Sequence, residues 1–365
     1  QALGDGYLSA LRSVHPDVPD NADLVMYWWD KAAELVTAKS IQSFGLITTN
    51  SLRQTFNRAV LEKWVGNEMA ITYAVPDHPW VDSANGAAVR VALTVARAGN
   101  QTGRLQQVIS EKSLEDGEVG IEVNETHGMI TPGLTIGIDV AASPILHANQ
   151  GMSCVGYQLT GKGFRVDADQ AQKLDPTFGQ SGALIRPLLT GTDITKKKSS
   201  SFAIDLFGLS EVQTRETYPA IYQWLLNTVK PERDQNADKS SRDFWWLFAR
   251  PRPDFRPALS NCNRCIATSL TAKHRTFVFV KADDICDSTT VMFALPDGLH
   301  MGVLSSSPHV LWSMAAGGRL GVGNDSRYNK SKCFEAFPFP AEDTGLTPEL
   351  TERIRTLAEQ LDAHR

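Results

Sequence analysis

The sequence predicts an α/β chain: part of a doubly wound sheet, then a mixed α+β region of shorter elements, then a C-terminal helix. Three observations predict it. Apolar spacing over residues 21–96 gives the order helix, strand, helix, strand, loop, strand, which suits the second half of a doubly wound sheet ending in a hairpin. The pattern then breaks, around 97–125, into Gly, Gln and acidic residues. Finally, residues 347–363 read as one amphipathic helix.

Each element has its own warrant. In 21–38, Leu24, Val25, Trp28, Ala32, Leu35 and Val36 fall on one helical stripe, with Asp20 or Asn21 able to cap the start. Phe44 to Thr49 is a short apolar run closed by polar Asn50 and Ser51, a buried strand. Ser51 to Trp64 carries Leu52, Phe56, Val60 and Trp64 on one helical face. Met69–Val75 and Val89–Ala96 read as strands joined by a Pro- and Gly-containing loop, 76–86. Beyond the break, 157–166 reads as a hairpin turning on Gly-Lys-Gly, and 202–207 as a strand. Ser210 and Gln213 are spaced as a capping box, with a break at Pro219. Strands are predicted over 265–270, 276–280 and 291–295, and a helix over 307–316 with Pro308 in its first turn. Leu350, Ile354, Leu357 and Leu361 form the stripe of the last helix. The expected divisions are 1–110, 111–340 and 341–365.

Composition narrows the classes. At 365 residues, 42% apolar and 21% charged, the chain resembles an ordinary globular protein with room for two or three domains. No run of eighteen apolar residues exists, so no spanning helix is predicted. The first residues lack the order of a signal peptide and an initiating Met, which suggests a fragment. Five cysteines, an odd number in a long chain, suggest reduced thiols and a cytoplasmic setting. The net charge of −5 does not announce nucleic-acid binding, but the charge is uneven. Residues 111–125 are acidic, 230–275 hold ten Lys or Arg against five Asp or Glu, and 319–332 are also basic. The second half could therefore grip a phosphate backbone.

Several residues could carry chemistry. The tip Thr48-Thr49-Asn50-Ser51 sits where open α/β sheets bind ligands, although Asn50 or Ser51 would equally serve as a helix cap. Trp80 follows Pro76-Asp77-His78-Pro79; it could plug the loop, or offer a flat surface to a base drawn out of a duplex. Cys262-Asn263-Arg264-Cys265 has the pair spacing of zinc ligands but no second matching pair, so no metal site is assigned and Cys265 more simply opens a buried strand. Lys273-His274-Arg275 and the stretch Arg319 to Ser331 mix Arg, Lys, Asn and Gly in loops, as a solvated loop does and as groups reading bases or phosphates do. There is no Gly-rich phosphate loop, GxSxG or HExxH motif.

Taken in order, Asp23 to Trp29, Phe44 to Ser51, Lys230-Pro231-Glu232-Arg233-Asp234, Ala272 to Arg275, Gly302 to Ser306, and Arg327-Tyr328-Asn329-Lys330-Ser331 with Phe334 to Pro340 resemble the MmeI-like (Type IIL) restriction–modification enzymes. These join a nuclease, an adenine-N6 methyltransferase and a target-recognition domain in one chain. The resemblance implies the C-terminal half of a Rossmann-like methyltransferase sheet, a mixed α+β target-recognition domain and a C-terminal helix. It implies sequence-specific binding of double-stranded DNA, S-adenosyl-L-methionine as the parent's methyl donor, no membrane association and a bacterial cytoplasmic location. The family's cofactor-binding Gly motif and its Asn-Pro-Pro-Tyr/Phe motif are not found in residues 1–365, so no catalytic residue is assigned, the fragment alone is expected to be inactive, and a methyltransferase or nuclease half is an expected partner. Trp80 and Asn50 become candidates for a flipped-base pocket. Lys273, His274, Arg275, Arg319, Gly321, Gly323, Asn324, Asp325, Arg327, Tyr328, Asn329 and Lys330 become candidates for DNA contact. Two rivals stand beside this reading: half of a nucleotide-dependent oxidoreductase, whose Gly-rich fingerprint is not seen, and a non-catalytic specificity subunit that docks through its last helix.

Overall fold

The computed structural model describes residues 4–81, 88–113, 119–180, 182–196, 200–320 and 325–364. The chain divides into two compact units, Gln1–Ala142 and Ser143–Arg365.

Helices α1 (Asp5–Val14), α2 (Val25–Thr37) and α3 (Thr55–Trp64) belong to the first unit, with strands β1 (Ser43–Thr49), β2 (Met69–Val81), β3 (Ala88–Ala98), β4 (Gly103–Ser113) and β5 (Val119–Gly128). Among the described residues the strands form one sheet in the order β1-β3-β2-β4-β5. β3 runs antiparallel to both β1 and β2, so β1 and β2 share a direction without touching; only β2 and β4 pair in parallel. The parallel neighbours expected of a doubly wound sheet are therefore displaced here by a strand that returns between them.

The core of this unit sets Met26, Trp29, Ala33 and Val36 of α2 against Ile71, Ala74, Ala92 and Ala96 of the sheet. The Trp29 indole N–H donates to the Thr94 hydroxyl at 3.4 Å. α2 buries a different stripe from the one the spacing suggested: Trp28 is 69% exposed, while Asp30 is buried and accepts from the Trp64 indole at 2.7 Å and Lys63 at 3.3 Å. Apolar residues occur all round this helix, so periodicity could not choose between adjacent tryptophans. Neither Asp20 nor Asn21 caps it; Leu24 occupies the cap without a side-chain bond. Two further differences bear on function. β2 continues through Trp80, placing that residue on a strand rather than in a loop. Residues 103–113 and 119–128, within the stretch where the pattern broke, form the long β4–β5 pair, in which Glu111, Glu122 and Glu125 are exposed.

The second unit is built from short strands. Among the described residues, β7 (Arg165–Val166), β8 (Ile185–Leu189), β9 (Phe202–Ile204) and β13 (Ile285–Cys286) form one sheet, ordered β13-β8-β9-β7. A second, ordered β12-β10-β14-β6, joins β6 (Ser153–Val155), β10 (Arg264–Ser269), β12 (Phe277–Lys281) and β14 (Thr290–Phe293). A third, ordered β11-β16-β15, joins β11 (Thr271–Ala272), β15 (Gly318–Leu320) and β16 (Asp325–Arg327). Gly161-Lys162-Gly163 lies at a short 3-10 turn rather than a hairpin, its Gly161 holding φ 127° against Val229 and Phe164. The capping box forms as spaced: Ser210 accepts from the Gln213 N–H, and the Gln213 side chain accepts from the Ser210 N–H.

The C-terminal helix Pro348–Ala363 starts at Thr347, whose hydroxyl accepts from the Leu350 N–H at 3.2 Å. It packs on the helix Gly298–Ser305 through glycine: a Cβ at Gly302 would lie 2.6 Å from Ile354 Cγ2. Of the predicted stripe only Ile354 reaches this seam; Leu350, Leu357 and Leu361 are exposed, and Ala358 is buried in their place. Arg264 pairs with Glu359, Arg355 with Asp297 at 2.7 Å, and Asp362 accepts the Phe279 backbone N–H of β12 at 3.0 Å.

Candidate nucleic-acid interface

The small sheet β11-β16-β15 brings together two stretches some fifty residues apart in sequence. Thr271 pairs with Arg327 and Ala272 with Ser326; on the other side of β16, Gly318 pairs with Arg327, Arg319 with Ser326 and Leu320 with Asp325. The turn after β11 carries Lys273 and His274, both exposed. Arg327 is exposed at the end of β16, and Asp325 is half-buried at its start. Arg319 lies on β15. Gly321, Gly323 and Asn324, the centre of the predicted base-reading stretch, lie outside the described residues. Lys273, His274 and Arg327 have no side-chain hydrogen bond or ion pair among the described residues, so their polar heads are available to a ligand.

The floor beneath this sheet is aromatic and buried. Tyr328 is fully buried against Phe277 and Phe293, its hydroxyl 3.1 Å from His309 Nε2, and its backbone N–H donates to the Leu270 carbonyl at 2.8 Å. Burial pushes the Tyr328 phenol well up. It pulls the His309 imidazole down to about 4, outweighing its contacts with the Leu304 and Cys333 carbonyls. Four of the predicted DNA-contact residues are thus engaged elsewhere. Tyr328 is core. Asn329 caps the helix Lys330–Cys333, accepting from the Ser331 N–H at 3.1 Å, and Lys330 pairs with Glu335. Arg275 turns inward, donating to the Ser269 and Ser326 carbonyls. The tripeptide Arg327-Tyr328-Asn329 therefore joins a surface cation, a core ring and a helix cap. The Phe334 to Phe339 stretch is likewise structural: buried Asn149 donates to the carbonyls of Phe334 and Phe337, at 3.2 and 2.8 Å.

The basic surplus of 230–275 shrinks in the same way. Arg233 is fully buried and donates to the carbonyls of Leu159, Thr160 and Leu247 at 2.8–3.0 Å. Arg256 forms a fork with Asp205 at 2.9 and 3.1 Å; Arg252 holds the Gly156 carbonyl; Lys230 pairs with Asp234. Arg264 is tied to Glu359, Lys239 lies near Asp243, and Arg242 donates to the Asn236 and Ala237 carbonyls. With Arg275 turned inward as well, Arg250 and Lys273 remain as exposed cations without a side-chain partner among the described residues.

In the first unit, Asn50 stands in the turn after β1 and donates to Asp77 of β2 at 2.9 Å. Arg90 of β3 donates to the same Asp77 oxygen at 2.6 Å and to Glu111 of β4 at 2.8 Å. Burial alone would raise the Asp77 carboxyl; the bonds from Arg90 and Asn50 outweigh it and leave it below its usual range. Trp80, three residues along β2, is 47% exposed. The structure thus brings Asn50 to Asp77 and adds Asp77 and Arg90, which no local motif marks. Cys265 lies in β10, and no group of three or more His, Cys, Asp or Glu residues that could hold a metal occurs among the described residues.

Fold and interface together define a mixed α/β recognition module. The family described as MmeI, target recognition domain, matches residues 135–341, more than half of the chain, and the chain belongs to that family. A solved structure of the Type IIL restriction-modification enzyme MmeI in complex with DNA is similar at TM-score 0.75 and 18% identity, covering 98% of this chain and 46% of that one. The chain thus spans just under half the length of that enzyme. The type IIG restriction endonuclease BpuSI matches at TM-score 0.36 and 9% identity, covering 87% of this chain and 42% of that one, a level that shows nothing further. No curated protein matches the chain.

Proposed function

We propose that this chain reads DNA sequence for a restriction–modification enzyme, the second unit supplying the recognition domain. One observation carries the reading: the family match encloses the whole β11-β16-β15 sheet with its free cations. Lys273, His274 and Arg327 contact the duplex, where Lys holds phosphate as a point charge and Arg can also fork onto a guanine edge. Arg319 and Asp325, at the ends of the predicted base-reading stretch, are the candidates to contact base edges.

The first unit is the closing part of a methyltransferase sheet, a reading supported by the return of β3 between the like-directed β1 and β2. The parent transfers a methyl group to adenine N6, and the exposed ring of Trp80 supplies the flat surface a flipped base needs. S-adenosyl-L-methionine supplies the methyl. Most of the cofactor site lies outside this chain. The parent works in the bacterial cytoplasm; among the described residues no helix is long and apolar enough to cross a membrane.

The test is selection. The chain is mixed with random-sequence duplexes at two salt concentrations and the retained pool is sequenced. One enriched motif, with affinity falling as salt rises, is the expected result. A pool without enrichment at low salt, both for the chain and for the chain joined to a cofactor-binding half with S-adenosyl-L-methionine added, refutes the reading.

A further inference from the structure

Arg275 sits at the junction of the two stretches that form the interface. Its Nη1 donates to the Ser269 carbonyl at the end of β10 and to the Thr268 hydroxyl at 3.3 Å, while Nη2 donates to the Ser326 carbonyl in β16 at 2.8 Å. The guanidinium lies 5.1 Å from the centre of the Tyr328 ring. Apart from this bridge, β11 and β16 are held by two residue pairs and by the Tyr328 N–H on Leu270. With two residue pairs, the ladder itself offers few bonds to hold its register. A slip would move Lys273 and His274 against the β15–β16 hairpin.

Stability is a poor explanation for this residue. Burying a guanidinium carries a large desolvation penalty, and Arg275 Nε is buried with no hydrogen-bond partner among the described residues. What a guanidinium does that an apolar chain cannot is fix two carbonyls on separate strands at a set distance, because its donors form a rigid fork.

We propose that Arg275 is a positioning residue for sequence reading, holding the Lys273-His274 turn and the β15–β16 hairpin in one register so that both meet the duplex together. This rests on the reading of the β11-β16-β15 sheet as the face toward DNA. Arg275 itself touches no base.

The test uses the full chain with Arg275→Met and Arg275→Lys. Affinity is measured for the duplex the wild-type chain enriches and for a scrambled duplex of equal length, across salt, beside a thermal melt. For Arg275→Met, affinity for the enriched duplex is expected to fall about tenfold or more, the scale of one lost base contact. Affinity for the scrambled duplex and the salt slope should stay as in wild type, because phosphate contacts set both. Arg275→Lys, which keeps the charge but cannot span both carbonyls, should also lose discrimination. Equal loss on both duplexes, together with a lowered melting temperature, would mean that Arg275 only supports the fold and would overturn the proposal; so would unchanged discrimination. If Arg275→Met does not fold, Arg275→Lys decides: reduced discrimination at the wild-type salt slope supports the proposal, and wild-type discrimination overturns it. A wild-type chain that enriches no sequence, both alone and joined to a cofactor-binding half with S-adenosyl-L-methionine added, overturns the recognition reading and this proposal with it, and that failure is seen before any variant is made.

Discussion

The salt dependence of DNA binding separates the charge written in the sequence from the charge the fold leaves free. Each phosphate neutralised in B-form DNA contributes about 0.9 to the slope of log affinity against log salt. By sequence, Lys273 and Arg264 are equal members of one basic stretch. In the fold, Lys273 is exposed without a partner among the described residues, whereas Arg264 is held by Glu359 and the Pro296 carbonyl. Lys273→Ala should therefore lower the slope by about 0.9, so that a rise from about 50 to 200 mM salt weakens the variant about 3.5-fold less than the wild type. Arg327→Ala should lower it by a similar amount, and the two together by about 1.8. Arg264→Ala should leave the slope unchanged and act on stability instead. The assay is an anisotropy titration of a labelled duplex over a salt series. Equal slope losses from Lys273→Ala and Arg264→Ala would refute the reasoning, as would no loss from Lys273→Ala.

Three further predictions concern the scaffold. His309 has its imidazole held down at about 4 by burial, with Arg275, Tyr328 and Cys333 as its polar neighbours. The unfolded chain takes up this proton from about pH 6.5 downward and the folded chain resists it until about 4. The site's contribution is thus complete above pH 6.5 and is lost through that window, by about 3 kcal/mol. His309→Gln should flatten urea-unfolding stability between those pH values, and an unchanged slope would count against the burial argument. Gly302→Val should force the C-terminal helix away, since its Cβ would stand 2.6 Å from Ile354 Cγ2, lowering stability by about 1–3 kcal/mol; a melting temperature equal to wild type would contradict this. Arg233→Met removes the donors to three buried carbonyls and should destabilise by about 3 kcal/mol or more, read from the urea midpoint; a neutral result would mean that the carbonyls find other partners.

Local chemistry was legible wherever a short-range rule decides the outcome. The Ser210 and Gln213 capping box, Thr347 before Pro348, Pro308 in its first turn, and the positions of strands β1, β10, β12 and β14 all follow from neighbouring residues, although β1 is mostly exposed or half-buried rather than buried as expected. The interface was legible only as composition. Strands of two or three residues, such as β11 and β16, carry no periodicity, and their pairing links positions some fifty residues apart. The inward turn of Arg275 could not be read either, since sequence does not say whether a guanidinium meets a phosphate or a carbonyl. The same holds for Asp77 and Arg90, which meet Asn50 only because β3 returns between β1 and β2. The acidic stretch 111–125 looked like a break because solvent covers much of β4 and β5, leaving no apolar alternation to see.

The bond from the Phe279 amide to Asp362 has a consequence for how the protein keeps to itself. β12 is the outermost strand of its sheet, and a bare strand edge is a template on which another chain can add itself. The C-terminal helix lies along that side, and its carboxylate takes one of the amides that an incoming strand would use. Shortening the chain before Asp362 would therefore do more than loosen a helix. It would uncover an adhesive border, and the shortened protein should fail by self-association, with losses that grow with its concentration.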